Sequence, residues 1–218
     1  MKRILLGVAL VSALALPLGA DTIFQTTPQG RESVVHRNAI LVKEDSSSLL
    51  VKHFELKERR VVKIRLNKAS LPYRVEKSSE ADRQQIVDTW KRFGHTATVT
   101  DQDGKATKVF DVFLDFYPPG GRGSLLESVP ARTALPLELT AGGFDEVEFS
   151  KIERVELGGD RMKLTLRDGR VVEGRLLKLT DKPVEARFLG ITDRYDPASE
   201  EVFDFSIPLA RLKEIHFE

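Results

Sequence analysis

The chain has 218 residues, of which 41% are hydrophobic and 31% charged, with a formal net charge of +1 and no cysteine. That composition suits one or two globular domains and excludes a disordered or fibrous chain. The absence of cysteine excludes disulfides, a thiol nucleophile, thiolate metal sites and lipid attachment to cysteine.

Residues 1–20 read as a cleaved secretory signal peptide. Lys2 and Arg3 give a basic start, Ile4 to Leu16 is an apolar run interrupted only by Gly7 and Ser12, and Pro17 precedes a small-residue Leu18-Gly19-Ala20 cleavage site. The run is shorter than the roughly 20 residues a membrane helix needs. The expected mature chain starts at Asp21, outside the cytoplasmic membrane. Two of the 34 basic residues leave with the leader, so the rest carries 33 acidic residues and a net charge of −1. A chain without a basic excess is a poor candidate for binding nucleic acid.

Residues 21–32 are polar, with Pro28 and Gly30, and read as a loose N-terminal arm. Residues 33–94 read as a small α+β segment. Ser33–Lys43 carries Val34, Val35, Ile40, Leu41 and Val42, enough for one strand or two, and Ser46-Ser47-Ser48 marks a turn. In Leu50–Leu66 the β-branched Val61, Val62 and Ile64 favour two strands around a polar Lys57-Glu58-Arg59-Arg60 tip, although one helical face is also possible. Residues 80–93 predict an amphipathic helix. Ser79 caps it, Ile86, Val87, Trp90 and Phe93 form its stripe, and Gly94 is suited to a left-handed end.

Two related antiparallel β-modules follow, at 95–157 and 158–218. Asp103-Gly104-Lys105 and Asp168-Gly169-Arg170 are hairpin turns of one type, because both central positions favour residues that tolerate positive φ. Strands are expected over Phe110–Phe116 and Val171–Leu179 after each turn, then over Leu137–Thr140 and Ala186–Ile191. Each module closes on one spaced apolar motif: Phe149, Ile152, Val155 and Leu157 in the first, Leu209, Leu212, Ile215 and Phe217 in the second. The fold class is therefore mainly β, α+β overall, with sandwich or barrel-like modules. The long Pro/Gly stretch from Tyr117 to Pro136 is the one extended loop.

No catalytic, metal or cofactor motif is present. His36, His53, His95 and His216 show no ligand spacing. Asp101-Gln102-Asp103-Gly104 fails as a calcium loop, because Val99 and Phe110 fall where carboxylates are needed. Asp193, Asp196, Glu200 and Glu201 read as a solvated acidic turn. Ser124 and Ser128 have no nucleophile motif, and Gly120-Gly121-Arg122-Gly123 is not a phosphate loop. The candidate binding residues are Arg122, Arg59, Arg60 and Trp90. The basic residues offer an anion patch and Trp90 a ligand platform, each against a structural role on a solvated face or in the core. The expected function is a non-catalytic binding or assembly protein of the cell envelope, with an envelope protein or a small ligand as partner and no cofactor. The alternatives are a hydrolase assembled only in the fold and a carrier of a small apolar ligand inside the Phe110–Phe116 face.

Overall fold

The structure is a computed structural model, which describes residues 20–55, 60–119 and 131–218. It is mainly β, with two antiparallel sheets and one helix. The leader, most of the 57–60 tip and the Gly-rich loop fall outside the described residues.

The smaller sheet has five strands: β1 (Asp21–Thr26), β2 (Glu32–Glu44), β3 (Ser48–Glu55), β4 (Arg60–Asn67) and β5 (Tyr73–Glu76), in the order β4-β3-β2-β1-β5. The segment expected as a loose arm is thus a paired strand. Its polar composition hid that Asp21 is a buried anchor and that Ile23 enters the core. The Asp21 carboxylate accepts hydrogen bonds from the Leu41 N–H at 2.8 Å, the Ser78 N–H at 2.9 Å and Arg83 Nη2 at 2.6 Å. Burial raises the Asp21 pKa, but these donors and the Arg83 charge outweigh it and hold the carboxyl below its ordinary value. Ile23, Ala39, Leu41, Leu49 and Val51 form this sheet's core.

Helix α1 spans Glu80–Trp90, shorter than the expected 80–93. Ser79 and Asp82 cap each other's backbone in a capping box. After Trp90 the bonds shorten to three-residue turns, Arg92 N–H to Thr89 O at 3.0 Å and Phe93 N–H to Trp90 O at 3.2 Å. Phe93 leaves the stripe and stacks on Phe54 at 4.5 Å. Gly94 has no left-handed backbone. Glycine is needed there because a Cβ would lie 2.7 Å from the Asp111 Cα.

The larger sheet has ten strands. They are β6 (His95–Asp101), β7 (Ala106–Tyr117), β8 (Ala134–Leu139), β9 (Phe144–Glu148), β10 (Ile152–Gly158), β11 (Arg161–Leu166), β12 (Val171–Leu176), β13 (Glu185–Ile191), β14 (Phe205–Pro208) and β15 (Leu212–Phe217). Their order is β14-β13-β7-β6-β15-β10-β11-β12-β8-β9. Exchanging each strand of residues 95–158 for its counterpart in 161–217 and reversing the list reproduces the same order. The larger sheet therefore has a pseudo-two-fold axis.

Local geometry agrees. Gly104 and Gly169 both have φ of +84° at their hairpin tips, but Asp103 and Asp168 lack the positive φ expected of both turn residues. The Gly104 N–H closes on Asp101 O and the Gly169 N–H on Leu166 O, which leaves only the glycine left-handed. Single 3-10 turns, Phe149–Lys151 and Leu209–Arg211, precede β10 and β15. Gln102 N–H donates to Arg211 O at 3.0 Å, and its counterpart Arg167 N–H donates to Lys151 O at 2.9 Å. On the axis Val155 faces Ile215, flanked by Arg154 opposite His216 and Glu156 opposite Glu214.

The two segments do not make separate sheets. β13, β14 and β15 pair onto β7 and β6, while β8 and β9 pair onto β12, and β10 onto β11. Each five-strand half therefore takes its first two strands from one segment and its last three from the other. Each half also has the order fourth-third-second-first-fifth, which is the order of the smaller sheet.

Phe116, Phe149, Ile152, Val155, Phe188 and Ile215 all belong to one continuous core. Because that core is shared, Ile152→Asp or Leu212→Asp places an unpaired charge where both halves meet. Either substitution is expected to abolish the whole ten-stranded sheet in one cooperative transition. Thermal unfolding followed by far-UV circular dichroism checks this, and loss of only half the β signal would contradict the strand exchange.

Candidate functional site

Two places could carry function: the junction between the sheets and the free sheet edges. The junction collects the candidate residues that the structure describes. Trp90 is 2% exposed and packs with Ile86, Val87, Ile40, Val61, Ile191 and Tyr195. It presents no face to a ligand. Arg60 pairs with Asp115 at 3.5 Å and lies 5.0 Å from the Phe113 ring centre. The remaining basic residues of β4 are also engaged. Lys63 Nζ donates to Glu200 O at 2.6 Å, and Arg65 Nη1 to Ser48 Oγ at 2.9 Å. Arg59 and Arg122 lie outside the described residues.

The acidic turn keeps Asp193, Asp196, Glu200 and Glu201 exposed, as expected, and is also a strap. Between β13 and β14 it folds back on the smaller sheet, where Lys43 meets Glu200 at 3.1 Å. Thr192 Oγ1 and the Asp204 carboxylate tie its base. Tyr195 is buried under it, and Phe203 meets Phe113 edge-on at 4.7 Å. The acids alone gave no sign of this, although Tyr195, Val202 and Phe203 interleaved among them did.

Three ionisable groups are enclosed here. Lys52 is fully buried, its Nζ has no hydrogen-bond partner, and it stands 4.9 Å from the Tyr195 ring centre. Burial pushes its pKa down to about 8, against the pull of Asp196 and with a further push from Lys63. Tyr195 is raised by burial and then by Asp204 and Asp196. Asp111 has the positive φ of +48° that bends β7, and it accepts the Val61 N–H of β4. Burial pushes its carboxyl up to about 7, against that hydrogen bond and the Arg60 charge. These shifts have the size found in acid–base catalysis, but the groups are packed away from solvent.

The four histidines do not converge. His36 and His53 stack with ring centres 4.5 Å apart, whereas His95 lies against Phe149. Among the described residues no three His, Asp or Glu side chains could hold a metal ion. Val112, Leu114 and Phe116 of the proposed carrier face fill the core. Two grooves lie elsewhere. One of about 370 Å³ is lined by Glu156, Arg161, Lys163 and Glu173, and one of about 490 Å³ by Lys43, Glu44, Lys77 and Arg83.

The sheet edges differ from one another. In the β8–β9 hairpin the ladder bonds run from Leu139 N–H to Gly143 O at 3.0 Å and from Phe149 N–H to Thr133 O at 2.9 Å. Antiparallel ladders alternate, so Phe144, Glu146 and Glu148 sit in the non-bonded pairs. Their N–H and C=O groups point away from β8. Pro136, opposite Glu146, costs the β8–β9 ladder no bond; its missing N–H falls on the β12 side, where its carbonyl accepts the Leu177 N–H at 2.9 Å. The outward Glu146 N–H is met only by the neighbouring Asp145 Oδ1 at 2.8 Å. Among the described residues no strand pairs with the outer side of β9. The Phe144 side chain is 71% exposed, the largest value among the exposed large hydrophobic residues.

The equivalent edges have some of their outward groups taken. On β14 the counterparts of Glu146 and Glu148 are Ser206 and Pro208. Arg187 Nη2 donates to Ser206 O at 3.2 Å, and proline has no N–H to offer. On β4, Asp111 takes the Val61 N–H.

Comparison with protein-family models, curated proteins and solved structures finds no match.

Two outcomes follow from the junction. Lys52→Met is expected to stabilise the fold at pH 7 by about 1–3 kcal/mol, the cost of a buried unsatisfied donor. Above pH 8 the folded wild type sheds a proton that the unfolded chain keeps until its ordinary value of 10.5. The unfolded state then binds more protons, so wild-type stability rises with pH across that window and the variant's advantage shrinks. Tyr195 acts the other way only above its ordinary value of 10.0. Urea unfolding at pH 7 and 9.5 measures both. Separately, Trp90→Ala is expected to cost about 3–5 kcal/mol, with native fluorescence blue-shifted before unfolding.

Proposed function

We propose that the chain is an exported, non-catalytic binding or assembly protein of the cell envelope, and that it engages its partner along β9. The observation that carries this reading is the open β9 edge. Three residues turn their backbone groups outward beside an exposed aromatic ring, while on the equivalent edges Arg187 takes the Ser206 carbonyl, Pro208 has no N–H and Asp111 takes the Val61 N–H. Strand addition to such an edge needs no catalytic group and no preformed cavity.

Export rests on the leader pattern of residues 1–20. Ala20 and Asp21 are both buried, Ala20 against the junction and Asp21 against Arg83 and Leu41. A peptidase needs an extended, accessible bond, so cleavage between them precedes closure of the junction.

The test places a photoreactive benzoylphenylalanine at Phe144 in the native host. Irradiation is expected to give a higher-mass adduct in the envelope fraction, on a protein whose N-terminus is Asp21. The same label at Val171, which is 53% exposed but on an interior strand, is the control. No adduct at position 144, or cytoplasmic protein that retains residues 1–20, would refute the reading.

A further inference from the structure

We infer that the partner segment on β9 is an extended chain with Lys or Arg on alternate positions, received antiparallel or parallel by the backbone of Phe144, Glu146 and Glu148. The inference rests on the proposed edge reading and specifies its chemistry. The side chains that share a face of β9 with the outward amides are Phe144, Glu146 and Glu148, with Asp145 on the other face beside buried Val147. Among the described residues two cations answer these acids. Arg132 meets Glu146 at 3.1 Å, and Lys151 meets Glu148 at 3.5 Å. Both carboxylates stay more than half exposed, at 54% and 61%.

This charge pattern selects among occupants. A second copy of β9 paired antiparallel about Glu146 would set Glu146 against Glu146 and Phe144 against Glu148. Like charges directly opposite one another are destabilising, so self-pairing is disfavoured. An acidic or uncharged strand leaves the glutamates without new partners. A strand with basic side chains at every second position meets Glu146 and Glu148 on the exposed face and lays an aliphatic stem on the Phe144 ring. Charge is a common device for blunting an edge. Here it disfavours a copy of itself paired about Glu146, and of the outward amides only the Glu146 N–H is met, by Asp145.

The test uses a fluorescein-labelled eight-residue peptide of alternating Lys and Val, with an alternating Glu and Val peptide and an N-methylated Lys and Val peptide as comparisons. Fluorescence anisotropy with the full chain is expected to show binding of the Lys peptide that weakens with salt. Glu146→Lys combined with Glu148→Lys should weaken it at least tenfold, and Asp145→Ala, which frees the Glu146 N–H, should tighten it. N-methylation removes the donors a strand needs and should abolish binding in the unaltered protein. Equal binding of the Glu peptide or of the N-methylated peptide, or none of the Lys peptide, overturns the inference. If the Lys peptide fails but the Phe144 cross-link is still obtained, only the basic chemistry falls. If both fail, the edge reading falls with it.

Discussion

The pairing of β10 with β15 is the constraint on which the larger sheet depends. These strands carry the closing motifs of two related segments, and they meet with Val155 opposite Ile215. Once they lie side by side, each has one remaining edge. β10 takes β11, the first strand of the other segment, and β15 takes β6. The exchange of third, fourth and fifth strands between halves follows from that contact. Connection length permits it. In the smaller sheet three residues join β2 to β3, and Asp45 locks that turn by accepting the Ser47 and Ser48 N–H groups at 2.8 and 2.7 Å. So short a link forces the second and third strands to pair with each other. In the larger sheet β7 to β8 and β12 to β13 are joined by much longer stretches, and a longer loop adds little entropic cost.

The junction follows the same logic at the level of side chains. α1, β4, the bend in β7 and the strap after β13 all meet there, so polar groups that belong to strand edges are carried into the interior. Asp111 caps an amide of β4, and Asp115 meets Arg60. Lys52 has no such answer. Its neighbours on the strap are acids that act through space rather than through a hydrogen bond. A buried amine with a lowered pKa is a familiar sign of catalysis. Geometry decides against that reading here, since chemistry also needs a reachable cleft. The group marks where two sheets were packed together.

Much of the architecture is legible in the residues. The two Asp-Gly turns, the helix start at Ser79 and the repeated closing motif all reappear where the spacing places them. Strand exchange is not legible, because a strand carries the same alternation whether it pairs within its own segment or across to the other. The smaller sheet's kinship with the halves of the larger one was hidden for a related reason: it has the same strand order without the turn and motif signals. Polar β1 was misread because a buried carboxylate looks like a surface one until its donors, Leu41, Ser78 and Arg83, are assembled around it. The candidate site fares worst. Nothing in Phe-Asp-Glu-Val-Glu distinguishes an edge from an interior strand, since that difference lies in what fails to pair beside it.

Pseudo-symmetry sharpens the meaning of that failure. A two-fold sheet would be expected to have two equivalent ends, and a chain with two open ends can add copies of itself without limit. Here Pro208 offers no N–H and Arg187 takes the Ser206 carbonyl at one end, while at the other only the Glu146 N–H of β9 is met, by Asp145. Among the described residues β5 also has no strand on its outer side, so the ends of the larger sheet are not the molecule's only edges. Like-charge repulsion between the glutamates of β9 disfavours pairing of like ends about Glu146. The broken symmetry thus leaves the two ends of the larger sheet chemically different, one closing on Pro208 and the other carrying Glu146 and Glu148.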